Sequence, residues 1–160
     1  MNIAFGEATK DDIDELIRMR IAYMKDDFGS VSEHEKECME NQLRDYFGRK
    51  LGTELVAFVA KDVEKNTEKI VSVAYLHIIE MPANSVLLNG FYGTVLSVFT
   101  EDEYRGKGLC TKLMQNLIAY GKEHGLGRID LSATNDGYRI YEKLGFKEKD
   151  NRYREMRYKF

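Results

Sequence analysis

The stretch from Val95 to Leu117 constrains the fold more than any other part of the chain. A β-branched and aromatic run, Thr94 to Thr100, passes through Glu101-Asp102-Glu103-Tyr104-Arg105-Gly106-Lys107-Gly108 and enters at once a segment with Leu109, Leu113, Met114, Leu117 and Ile118 at helical spacing. That order predicts a strand, a glycine loop and an amphipathic helix. Glycines let backbone N–H groups approach a ligand with no Cβ in the way, and a helix amino terminus offers unpaired donors with partial positive charge. Gly106 and Gly108 with Arg105 and Lys107 therefore suit an anion cradle, with a plain structural turn as the alternative. Two other phosphate loops do not fit. A Walker A loop needs Gly-Lys followed by Ser or Thr, where this chain has Gly108, and a dinucleotide fingerprint needs a third glycine where Thr111 stands.

The rest of the chain reads as helices and strands around that unit. A short opening strand is expected over Asn2 to Glu7, and Thr9 with Asp12 is a variant capping box before Ile13, Leu16, Ile17, Ile21 and Met24 at helical spacing. Ser32 and Glu35 form a fuller capping box ahead of Met39, Leu43, Tyr46, Phe47 and Leu51, a second helix ending near Gly52. Between these helices, Lys25 to Val31 is expected as a loop carrying Asp26 and Asp27. Leu55 to Ala60 and Ile70 to Ile79 read as an antiparallel pair joined by the polar stretch Asp62 to Lys69, and Gly90 to Gly93 interrupts the pattern before the next strand. Arg128 to Ser132 is expected as a short strand, Asp136 to Leu144 as a short helix closed by Gly145, and Met156, Tyr158 and Phe160 alternate as a final strand. The expected class is α+β, or mixed α/β in three layers, as one domain over residues 1–160.

Composition narrows the function classes. With 160 residues, 43% hydrophobic residues and one proline, the chain is outside the collagen-like and broadly disordered classes. A net charge of −3 argues against general attraction to nucleic acid or anionic membrane. Its distribution is uneven: Asp11 to Asp45 carries 11 acidic and 5 basic side chains, Arg139 to Phe160 carries 4 and 8. Two solvated faces explain this, or an acidic front that receives a cationic substrate. Arg152, Arg154, Arg157 and Lys159 lack the stacking aromatics on a basic face that RNA binding asks for. Cys38 and Cys110 allow one bridge at most, and His34, His77 and His124 stand in separate elements without ligand spacing, so no metal site is expected. With no basic leader and no spanning apolar run, a cytoplasmic location is expected.

Arg105-Gly106-Lys107-Gly108-Leu109-Cys110 resembles the Gln/Arg-x-x-Gly-x-Gly/Ala signature of the GCN5-related N-acetyltransferase superfamily, with cysteine in place of the usual last residue. A second segment, Ile140-Tyr141-Glu142-Lys143-Leu144-Gly145-Phe146, is similar to the Leu/Phe-Tyr-Glu-Lys-Leu-Gly-Phe run near the end of that superfamily. Two motifs in the right order are more specific than either alone. The match runs from Thr94 to Phe146, and the helical front agrees in element order only.

The resemblance implies a mostly antiparallel sheet flanked by helices and binding of acetyl-coenzyme A (acetyl-CoA). It implies cofactor contacts from Val98, Phe99 and Thr100 on the strand, from Arg105, Gly106, Lys107, Gly108, Leu109, Cys110 and Thr111 at the loop and helix start, and from Thr134 or Asn135, where the family carries an asparagine. It also implies the Val98 N–H as oxyanion donor and Tyr141 as the acid for the departing thiolate. Many relatives place a glutamate base on the cofactor strand. Thr94 to Thr100 has none, which leaves Glu80, Asp26, Asp27 or a water chain. Tyr23, Tyr75 and Tyr92 are candidates for the wall of an acceptor pocket, or core.

The expected activity is direct transfer of an acetyl group, in a ternary complex, to a primary amine. The acidic front, with Asp26 and Asp27, points to a small cationic amine. A protein amino group as acceptor and a non-catalytic acyl-CoA-binding or regulatory module are the alternatives, and a homodimer stays open.

Overall fold

A computed structural model of the protein describes residues 1–64 and 68–160. Residues 65–67 of the expected Asp62 to Lys69 connection lie outside the described residues. The chain runs β1 (Ile3–Glu7), a turn of 3₁₀ helix (Lys10–Asp12), α1 (Ile13–Phe28), α2 (Glu33–Lys50), β2 (Leu55–Asp62), β3 (Lys69–Glu80), β4 (Phe91–Thr100), a further 3₁₀ turn (Asp102–Tyr104), α3 (Leu109–Glu123), β5 (Ile129–Asp130) and α4 (Asn135–Lys143). Both capping boxes form. The Thr9 N–H donates to Asp12 Oδ2 at 2.8 Å, and Ser32 and Glu35 exchange bonds of 2.8 and 3.1 Å.

The strands lie in the order β1-β2-β3-β4-β5, antiparallel except for the parallel pair β4–β5. Two irregularities set how β4 meets its neighbours. Ala74 faces Val98 while Leu76 faces Val95, so β4 carries one residue more than β3 across that interval, a bulge at Leu96 and Ser97 opposite Tyr75. The extra residue resets the alternation of the strand. Val95 and Val98 both pack toward α3 and α4, whereas Phe99 packs toward α1 and α2. The second irregularity is the short pairing of β4 with β5, limited to Gly93 with Ile129 and Thr94 with Asp130. Beyond Thr94 β4 has no partner on that side, because β5 itself ends at Asp130.

The sheet is buried on both faces. Leu16, Met19, Phe47, Leu55 and Tyr75 lie in the cluster under α1 and α2, and Leu76, Leu109, Leu113, Met114 and Leu117 in the cluster under α3. Arg18 ties α1 to the end of β4 by pairing with Glu15 and Glu101, and Lys69 holds the other Glu101 oxygen at 2.7 Å.

Four expectations need correction. Lys25 to Phe28 is the last turn of α1 and not loop, because the helix ends only where Gly29 takes a φ of +85° and donates its N–H to the Lys25 carbonyl. Asp26 and Asp27 are therefore helical. Gly93 lies inside β4, since its role is close packing: a Cβ there would stand 2.5 Å from Leu76 Cδ1. Arg128 to Ser132 forms only a two-residue strand at Ile129–Asp130. Met156, Tyr158 and Phe160 form no strand; Met156 is 94% exposed, and their alternating pattern meets no partner strand among the described residues.

The Thr9 capping box has a measurable role in stability. Burial alone would raise the Asp12 carboxyl, but the Lys61 ammonium at 2.6 Å and the Thr9 N–H hold it below the ordinary value. A depressed carboxylate contributes stability that is present above the unfolded-chain pKa and lost as pH falls through the folded one. Asp12→Ala is expected to lose about 1 to 3 kcal/mol at neutral pH, since it removes a cap and leaves the largely buried Lys61 ammonium only its longer contact with Glu68 at 3.5 Å. Denaturant melts from pH 7 to 2.5 check this: the variant's stability should fall less than the parent's in the acid range. Equal acid slopes would remove Asp12 from the account.

Candidate active site

The early end of β5 leaves the β5-facing backbone of Val98, Phe99 and Thr100 without a neighbouring strand. At the same end of β4 stands the loop of Arg105 to Gly108. Gly106 and Gly108 take φ values of +74° and +77°, a conformation that a side chain resists, and a Cβ at either would meet no atom within 4 Å. Gly108 is the N-cap of α3 and brings no side chain to cap it. The first-turn N–H groups at Leu109, Cys110 and Thr111 thus keep their donors for a ligand, in open space. Lys107 Nζ donates to the Glu103 carbonyl at 2.8 Å and lies 5.1 Å from the Tyr104 ring centroid, so its charge is anchored beside the loop.

Arg105 has a different role from Lys107. It donates to the Thr100 carbonyl at 3.0 Å and pairs with Asp26 and Asp102, each at 3.1 Å. Asp26 is therefore committed to the cradle loop, not free for an acceptor, while Asp27 is exposed in the same last turn of α1. The Arg105 guanidinium also lies 5.8 Å from the Phe99 ring centroid. The loop, the end of β4 and the end of α1 are held as one piece.

Tyr141 projects from α4 into the cluster under α3, with its ring edge-on to Phe146 at 6.1 Å. Burial pushes its hydroxyl up to about 12, with further contributions from Cys110 and Tyr23. Cys110 and Tyr141 pack against the same cluster under α3, whereas Tyr23 packs against the cluster under α1 and α2. Burial also pushes the Cys110 thiol up, so that side chain is a small neutral wall and not a thiolate. Tyr23 meets Phe99 edge-on at 6.3 Å, and its own hydroxyl is raised by burial and by Asp27. Beside Tyr141, a cavity of about 460 Å³ lies between β5, α4 and the segment after it.

Other expected residues are placed differently. Thr134 is the N-cap of α4 and accepts the Gly137 N–H at 3.2 Å, so its hydroxyl is engaged, and Asn135 is the first residue of that helix. Glu80 is exposed and paired with Phe91, at the far end of β4 from Val98 and roughly 20 Å away along the strand. The structure does not bring it to Tyr141. Tyr75 is buried, stacked on Phe47 at 5.8 Å, and lines a cavity between α1, α2 and β4, while Tyr92 lies under Arg128 at the Glu80 end of the sheet. Among the described residues, no three His, Cys, Asp or Glu side chains are grouped as a metal ion would need, and no helix is long and apolar enough to cross a membrane.

The sequence profile of the Acetyltransferase (GNAT) family matches residues 23–146. The chain belongs to this family. The GNAT fold extends to solved structures. The chain is similar to a predicted acetyltransferase from Clostridium acetobutylicum solved with acetyl-CoA, at 26% identity and a TM-score of 0.82, over 98% of this chain and 96% of that one. It is also similar to a GCN5-related N-acetyltransferase from Ralstonia eutropha JMP134, at 19% identity and a TM-score of 0.77 over 97% and 99% of the two chains. A third is glucosamine-6-phosphate N-acetyltransferase from Arabidopsis thaliana, at 19% identity and 0.66 over 98% and 99%. At that identity the last two bear on fold alone. No curated protein matches the chain.

A second cavity lies between α1, α2 and the β4 bulge; of its lining residues sequence reasoning named Tyr75 as a pocket wall and missed Arg20, Gln42, Tyr46 and Leu96. The available signal was Arg20 itself, which interrupts the apolar stripe of Ile13, Leu16, Ile17, Ile21 and Met24 at a position where the helix faces the sheet. The bulge that turns Leu96 to this side left no mark in the residue pattern.

Proposed function

We propose that this GNAT protein is an acetyl-CoA-dependent N-acetyltransferase that passes the acetyl group directly to a primary amine. The observation that carries this reading is the end of β4 left unpaired past β5, with an uncapped glycine helix start beside it and the half-buried Tyr141 packed, with Cys110 of that helix's first turn, against the cluster under α3. These residues fit the cofactor: open space above Gly106 and Gly108 accepts the pyrophosphate, which the N–H groups of Leu109, Cys110 and Thr111 and the Lys107 ammonium would hold. Backbone groups at Val98 to Thr100 would hold the pantetheine arm. When bound, acetyl-CoA supplies a thioester whose C–S bond breaks as the acceptor's C–N bond forms, and the departing sulfur takes up a proton.

The chain's own groups then divide the work. The Val98 N–H, one residue past the bulge, would donate to the oxygen that gains negative charge. Tyr141, with its pKa pushed up to about 12, stays protonated over the physiological range and holds the proton for the leaving sulfur. No carboxylate lies on Thr94 to Thr100, Glu101 just beyond is held by Arg18 and Lys69, and Asp26 by Arg105, which leaves Asp27 or water to take the amine's proton. The rate is accordingly expected to rise with pH through the acceptor's own titration. Tyr141 imposes no fall below about pH 10.

Thiol release from acetyl-CoA against a panel of primary amines tests the proposal. Turnover with at least one amine, rising with pH as described, is expected. Tight acetyl-CoA binding with no thiol release across a broad panel would favour a non-catalytic binding module and defeat the reading. Asp26 pairs with Arg105, so a cationic acceptor would rest on Asp27 and the remaining acidic front.

A further inference from the structure

The cavity on the α1 and α2 side of the sheet has a volume of about 200 Å³. Its wall is mostly apolar and aromatic, with Phe47, Tyr46, Tyr75 and Leu96, and Arg20 is its charged member. Among the described residues no carboxylate pairs with Arg20. Every other arginine ahead of α4 has one: Arg18 with Glu15, Arg44 with Asp14, Arg49 with Asp45, Arg105 with Asp26 and Arg128 with Asp130. Arg20 instead donates from Nη1 to Ser97 Oγ at 3.0 Å and lies with its Cζ 5.3 Å from the Tyr23 ring centroid.

A guanidinium stays charged at any physiological pH, and one that is half-buried without a counter-ion is costly to the folded state. Its hydroxyl and aromatic contacts fix its direction and leave most of its donors free. Ser97 precedes Val98 in β4, so a ligand anchored on Arg20 lies beside the strand segment proposed to hold the acetyl group. We propose that the acceptor is a small primary amine that also carries a carboxylate, read by Arg20, with its apolar body against Tyr46, Phe47 and Leu96. This rests on the N-acetyltransferase reading above. A monoanion matches the single charge, since no second cation and no helix amino terminus line the cavity. Its volume is below the roughly 300 Å³ at which drug-sized ligand pockets begin, which limits the occupant to a small molecule. A cationic acceptor would meet a like charge at the same place.

The test compares phenylalanine with phenethylamine, and leucine with isoamylamine, as acceptors for the full chain with acetyl-CoA. The carboxylate member of each pair is expected to lead in kcat/KM by roughly 10- to 100-fold, the usual worth of a hydrogen bond to a charged group. Arg20→Met should abolish that preference through KM, with acetyl-CoA affinity by calorimetry unchanged; Arg20→Lys should restore part of it. Taking the ratio between parent and variant cancels the difference in amine basicity. Equal use of both members, or a preference that survives Arg20→Met, overturns the proposal while the thiol release itself keeps the transferase reading. A preference for phosphoethanolamine over both amino acids also overturns it, in favour of a phosphate. If no amine is turned over, the transferase reading fails, and NMR titration of N-acetylphenylalanine against N-acetylphenethylamine on the CoA-loaded protein still decides Arg20. Tighter binding of the carboxylate form, lost in Arg20→Met, supports the assignment, and equal binding ends it.

Discussion

Tyr141→Phe is expected to fold and bind acetyl-CoA as the parent does, yet to turn over roughly 10²- to 10⁴-fold more slowly, the usual contribution of a positioned acid. The ring remains in place against Phe146, so packing is kept while the proton is removed. Because burial pushes the hydroxyl up to about 12, its loss is expected to lower the plateau of the pH profile without moving its limbs below pH 10. The deficit should shrink with a thioester whose thiol is more acidic, since such a leaving group needs less help. A variant that keeps more than half of the parent kcat, with chemistry shown to be rate-limiting, would reduce Tyr141 to a packing residue.

Gly108→Val is expected to weaken acetyl-CoA binding by roughly 100-fold or more while the protein stays folded, because two or more charge-assisted backbone bonds are lost together. The two halves of that expectation have separate causes. A β-branched residue at a φ of +77° is strained, which is expected to lower stability by about 1 to 3 kcal/mol but meets no atomic clash. The cofactor, in contrast, would need the space into which that side chain projects. Gly108→Ala should show a similar strain and a smaller loss of affinity. Calorimetric titration separates the cases, and an unchanged dissociation constant in folded Gly108→Val would move the pyrophosphate away from α3.

Much of this architecture was legible because local rules and tertiary packing agree. The two capping boxes, the apolar stripe of α3 and the strand-to-glycine-to-helix order of β4 and α3 each carry their own residue signature, and each forms where expected. Gly93 misled because a glycine required by a close neighbour looks, in sequence, like one required by a turn. Asp26 misled because exposed acids after an apolar stripe read as loop, whereas their helix ends at Gly29 and one of them meets an arginine far along the chain. The tail misled because alternation describes how a strand would face, and says nothing of whether an edge is available to it. Glu80 could be ranked only by its distance along the chain, and register, which decides that it lies at the wrong end of the sheet, is a property of pairing.

The bulge in β4 lets one strand serve two rooms. Without the extra residue, Val95 and Val98 would face opposite sides, and the acetyl-bearing segment could not point toward α3 while its immediate predecessors reach α1 and α2. With it, Leu96 and Ser97 belong to one compartment and Val98 to the other. Under the proposed reading, substitutions in α1, α2 and at Leu96 would retune which amine enters without altering the adjoining backbone of Val98.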